Sequence, residues 1–249
     1  MKILVANPNT SAGVTDRLVA AGKLVASPGT ELLPMTAPRG VPYIATRAEA
    51  AIGSAVMLEM LAEKRGTFDA AIVAAFGDPG LGGARELFDF PVIGMAEAAM
   101  LVACTLGRKF AIVSFAKALE PWFAEIVDWH GLSGRCAAIR MLDEAFKSID
   151  DVQDEKEPLL VDLANRVVRD HGADVVILAG APLAGLANKI RNRVAVPLVD
   201  GIQAAVTMAE GLVRLNPRKA TAGTYRRPGP KDSKGLSQKL ADVIAHRDT

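Results

Sequence analysis

Two stretches of this chain follow one design. Asp69–Leu81 reads DAAIVAAFGDPGL and Asp174–Leu186 reads DVVILAGAPLAGL. Each begins with aspartate, continues as an apolar run too short for a helix, and ends in a Gly- or Pro-containing turn leading into an amphipathic stretch. A buried parallel strand that delivers a loop at its carboxyl end reads this way. Two more pairs keep the same separation to within two residues. Lys2–Asn7 (KILVAN) answers Lys109–Ser114 (KFAIVS), and Pro91–Ala99 (PVIGMAEAA) answers Pro197–Ala205 (PLVDGIQAA). Three matched segments in one order predict one long repeat: two similar α/β halves rather than a solenoid of short units.

The remaining pattern alternates strands and helices. Strands are expected at Lys2–Ala6, Glu31–Met35, Asp69–Ala75, Pro91–Gly94, Phe110–Ser114, Ala137–Met141, Val175–Ala179 and Val196–Val199. Helices are expected at Val14–Val25, Ala48–Lys64, Gly83–Phe88, Ala96–Leu106, Pro121–Trp129, Pro158–Asp170 and Ile202–Leu215, with Ser148–Glu157 as an acidic loop. The fold class is therefore α/β, with two pseudo-symmetric halves, each a mostly parallel sheet covered by helices. Residues 1–107 with 202–225 make the first half, because Ile202–Leu215 is expected to pack back where Ala96–Leu106 also sits. Residues 108–201 make the second half. Ala220–Tyr225 is read as a final edge strand, Arg226–Gly235 (RRPGPKDSKG) as a linker, and Leu236–Ala245 as a short helix in a 226–249 tail.

Composition narrows the function. Half of the 249 residues are hydrophobic but only 5% are aromatic, so the core is aliphatic, as helix-covered parallel sheets require. A formal net charge of +1 gives no basic surface for nucleic acid. No apolar run is long enough to span a membrane, no charged-then-apolar leader is evident, and two cysteines make no disulfide scaffold. A cytoplasmic protein with reduced thiols is the expectation.

Ligands of such folds bind at the carboxyl ends of the strands. The loops after Asn7, Ala75, Ser114 and Gly180 should then meet in the cleft between the halves. Asn9, Thr10 and Ser11 precede a helix, where they serve as a cap or offer amides to an anion. Gly77-Asp78-Pro79-Gly80 and Ala181-Pro182-Leu183-Ala184 expose amides in the same fashion. Asp78 reads as a turn residue or a site acid, and Glu97 as a dipole partner at a helix start or a site acid. Cys104 reads as a buried structural cysteine. No nucleotide motif is present, and the three histidines, placed at helix ends and in the tail, have no metal-ligand spacing. Neither a nucleotide nor a metal is expected. Ser114 has no histidine placed to activate it.

The segments ILVANPNTS, AAFGDPGL, GGARE, PVIGMAEAAM, ILAGAPLAGLA and VPLVDGIQAAV resemble the aspartate/glutamate/hydantoin racemase superfamily, most closely its hydantoin and allantoin branch, over roughly Lys2–Tyr225. The resemblance implies two α/β domains with the site between them, no cofactor, and a homo-oligomer. It also implies proton exchange beside a carbonyl by two opposed cysteines, one on each face of the substrate. By that resemblance the cysteine positions are Ala75 and Gly180, which also match each other in the internal repeat. Neither can exchange a proton. Asn9, Thr10, Ser11, Phe76, Ser114, Ala181 and Pro182 are then the expected binding residues for a small carboxylate, hydantoin or ureide. Glu97, Asp78 or Tyr43 are the candidate substitute acids or bases. A non-catalytic binding or accessory protein on the same scaffold is the alternative.

Overall fold

A computed structural model describes residues 1–143 and 145–248. Among these residues eight strands form two four-stranded parallel sheets. The first contains β1 (Lys2–Asn7), β2 (Glu31–Thr36), β3 (Ala70–Val73) and β4 (Val92–Gly94), in the order β2-β1-β3-β4. The second contains β5 (Phe110–Ser114), β6 (Cys136–Met141), β7 (Val175–Leu178) and β8 (Leu198–Asp200), in the matching order β6-β5-β7-β8. The helices are α1 (Ala12–Lys23), α2 (Arg47–Lys64), α3 (Leu81–Leu87), α4 (Met95–Leu106), α5 (Glu120–Trp129), α6 (Val152–His171), α7 (Leu186–Ile190), α8 (Gly201–Leu215) and α9 (Gln238–Ile244).

The repeat extends to single hydrogen bonds. Asp69 Oδ2 accepts from the Lys2 amide at 2.7 Å, and Asp174 Oδ2 accepts from the Lys109 amide at 2.9 Å. Each repeat aspartate thus satisfies an amide at the start of the neighbouring strand. Gly80 and Gly185 cap α3 and α7 at φ of 83° and 88°, a left-handed conformation that glycine reaches without strain.

Strand periodicity divides the apolar residues into three cores. Ile3, Val5, Ala70 and Ile72 of the first sheet face Phe110, Ile112, Val175 and Ile177 of the second through α1, α4, α5 and α8. The alternate residues point outward. Leu4, Ala71 and Val73 pack under α2, α3 and α9, and Ala111, Val113, Val176 and Leu178 pack under α6 and α7. Each fully buried Val, Leu or Ile stabilises by about 1.5–3 kcal/mol, so the shared core binds the sheets into one body.

Several expectations change. α6 starts at Val152 rather than Pro158, so much of the expected acidic loop is helical. Buried Val152, Lys156, Leu160, Leu163 and Val167 keep helical spacing across Pro158, and this packing outweighs the backbone bond that proline removes. Ala220–Tyr225 forms no strand. The helical segment after Gly180, α7, was not expected. α9 docks on α2, with Leu240 and Val243 buried. α4 does not sit on the first sheet but packs across β5, β7 and β8, while α8 packs on β3 and β4. The two equivalent helices are exchanged between the sheets.

Candidate functional site

The carboxyl ends of β1, β3, β5 and β7 converge between the sheets, and a cavity of about 30 Å³ lies there. Ala75 and Gly180 both line it, with Ala181 and Pro182. Phe76, Trp122 and Phe123 make its aromatic wall, Ile44 and Leu119 its aliphatic one, and Asn9 and Tyr43 are its polar side chains. A volume of this size holds little more than a water molecule. A larger groove of about 680 Å³ lies elsewhere, between the end of α2 and α9, open to solvent and lined by ion-paired Arg65, Asp89 and Asp248. The small cavity is the better candidate site because both repeats deliver their strand ends to it.

The first loop is largely committed to its own structure. Asn9 Oδ1 accepts from Asn7 Nδ2 and from the Ser11 amide, both at 2.9 Å. Ser11 Oγ caps α1 by accepting from Val14, and the Thr10 amide donates to Val41 O at 3.0 Å. Ser11 therefore acts as a helix cap. Ser114 is fully buried and donates from Oγ to Ala179 O at 2.7 Å, fixing the backbone just before Gly180. Neither Thr10, Ser11 nor Ser114 lines the cavity.

Gly180 has φ +110°, and a Cβ built there would lie 3.1 Å from Phe115 Cε1. The loop beyond it is fastened from both repeats. Arg17 of α1 donates to Pro182 O at 3.1 Å, and Gln153 Nε2 donates to Pro182 O and Ala184 O at 2.9 and 2.8 Å.

Asp78 and Glu97 lie outside the lining, in a buried network. Asp78 accepts from the amides of Ala96 and Glu97 at the start of α4, both at 2.9 Å. His130, at the end of α5, places Nε2 3.3 Å from Asp78 and Nδ1 3.6 Å from Glu97, and Glu97 also pairs with Arg85. Burial pushes the Asp78 carboxyl above its ordinary range, against the hydrogen bonds from His130 and the two amides. In the other repeat the same two amide positions, those of Ile202 and Gln203, bond to Asp200 from the cap of α8. Gly94 stands where that cap residue would be, and its absent Cβ leaves space for the Asp78 carboxyl, 2.4 Å from the Cβ position. His130 was read as a helix-end residue, and its partners Asp78 and Glu97 lie too far away in sequence for spacing to reveal them.

Burial, reinforced by the charge of Glu49, holds the Tyr43 hydroxyl above its ordinary range. It does not act as a base near neutrality. Cys104 and Cys136 are free and half-buried, outside the cavity lining, so Cys104 is less enclosed than expected. Burial raises the Cys136 thiol. Among the described residues, no group of three or more His, Cys, Asp or Glu could hold a metal, and no helix is long and apolar enough to cross a membrane.

A small cavity between two repeated parallel α/β sheets, met by matched loops from each repeat, defines a pseudo-symmetric α/β class of protein. The Asp/Glu/hydantoin racemase family model matches residues 3–209. A hydantoin racemase of Paenarthrobacter aurescens is 31% identical over 93% of this chain and 99% of its own. An allantoin racemase from Klebsiella pneumoniae superposes with a TM-score of 0.90 at 34% identity, covering 96% of this chain and 98% of that one. An allantoin racemase from Pseudomonas fluorescens gives 0.88 at 33%, covering 94% and 100%. The chain belongs to the Asp/Glu/hydantoin racemase family.

Proposed function

We propose that this protein binds a small hydantoin, ureide or carboxylate between its sheets and does not racemise it by two-thiol proton exchange. One observation carries the reading. Ala75 and Gly180, the repeat-related positions where the family resemblance implies thiols, both line the cavity, and of its lining side chains among the described residues only Tyr43 is titratable. With the Tyr43 hydroxyl held above its ordinary range, the cavity wall formed by the described residues supplies no base at neutral pH. The hydantoin and allantoin racemases among its relatives support the ligand class. The aromatic and aliphatic wall favours a ring with an apolar substituent, and the absence of a basic side chain from it disfavours a diacid.

A general acid or base typically contributes about 10²–10⁴-fold in rate, so losing both leaves little exchange. Incubated in D₂O, a 5-substituted hydantoin should bind by calorimetry and incorporate deuterium at its exchanging carbon no faster than in buffer. The double variant Ala75→Cys with Gly180→Cys should exchange faster than either single one. Rapid exchange by the unaltered protein would overturn the reading and turn attention to Asp78 and Glu97.

A further inference from the structure

Tyr43 stands apart from the other polar groups at the cavity. Its hydroxyl is buried and finds no hydrogen-bond partner among the described residues. A buried donor left unpaired is costly, and such groups commonly mark function. The residue is also held firmly in place. The Thr10 amide bonds to Val41 O at 3.0 Å on one side of it, and the Ala45 amide bonds to Glu49 Oε2 at 2.7 Å on the other. Its ring lies against Phe115 and Phe146 of the second repeat, with centroids 5.9 and 6.4 Å away. A residue from the first repeat is thus wedged into the second, with its polar end unmatched.

We propose that Tyr43 is the specificity-determining donor of the cavity, giving its hydroxyl hydrogen to a carbonyl or carboxylate oxygen of the bound ligand. This rests on the ligand reading above. Burial keeps the hydroxyl protonated, so the group donates at all ordinary pH values and selects for an acceptor oxygen. A ligand without the oxygen leaves the donor unpaired again.

The test compares the whole protein with Tyr43→Phe, which keeps the ring and removes only the hydroxyl. Calorimetry with 5-benzylhydantoin should show about tenfold weaker binding for the variant, the loss expected for one hydrogen bond. Thermal melting without ligand should show the variant at least as stable, because the hydroxyl has no internal partner to lose. Equal affinity of the two proteins would overturn the role of Tyr43 and leave the ligand reading standing. A clear fall in the variant's Tm without ligand would also overturn it, by showing the hydroxyl to be structural. Failure of the unaltered protein to bind would overturn both.

Discussion

At Gly180, conformation decides what chemistry the site can hold. With φ at +110° and Phe115 close to the missing Cβ, any side chain here is strained. Ala75 already carries a Cβ and is absent from the positive-φ positions. The two repeat-related sites should therefore respond differently to the same residue. Gly180→Cys is expected to lower stability by about 1–3 kcal/mol, and Ala75→Cys by less than about 1 kcal/mol. Urea denaturation measures both, and equal losses would contradict the conformational argument. Ala75 and Gly180 could be singled out in the sequence because the family resemblance points to them and the repeat relates one to the other, and both line the cavity. The network joining Asp78, His130 and Glu97 was not, since it depends on α5 crossing to the first repeat.

Among the elements, α8 shows how one buried carboxylate fixes a helix. Glu210 accepts from the Ser27 amide at 2.8 Å and from the hydroxyls of Ser27 and Thr30, both at 2.6 Å. These bonds tie α8 to the turn before β2. Burial alone would raise the Glu210 carboxyl, but the bonds from Ser27 and Thr30 outweigh it and hold the carboxyl below its ordinary value. A lowered carboxyl contributes stability that is present above its unfolded value, about 4.3, and is lost as pH falls through the folded one. Glu210→Gln should cost about 1–3 kcal/mol at pH 7, the scale of hydrogen bonds to a charged group. Denaturant titrations of both proteins should show the difference shrinking below about pH 4. A pH-independent difference would show that packing, not charge, is what the variant loses. The sequence pattern places α8 back on the first half, where it packs on β3 and β4, but it places α4 there too, and α4 covers the second sheet. A hydrophobic stripe records that a helix must be covered and leaves open by what.

For the whole molecule, the exchange of α4 and α8 makes each sheet depend on the other repeat. α4 covers the second sheet and α8 the first, and both join the core between them. A fragment of residues 1–107 lacks α8 and leaves the β3–β4 part of its sheet's inner face uncovered. It should show no cooperative urea transition by circular dichroism, while the full chain unfolds in one. A cooperative transition in the fragment would mean that the repeat folds alone. The sequence by itself determined the repeat and the alternation of strands and helices within each half. These rest on period-two burial and Gly/Pro turns, which neighbouring residues decide. Only the tertiary structure decided that α4 covers the second sheet, how small the cavity is, and that Tyr43 ends in a hydroxyl with no partner among the described residues. Those depend on contacts between residues far apart in the chain, where local preference is silent.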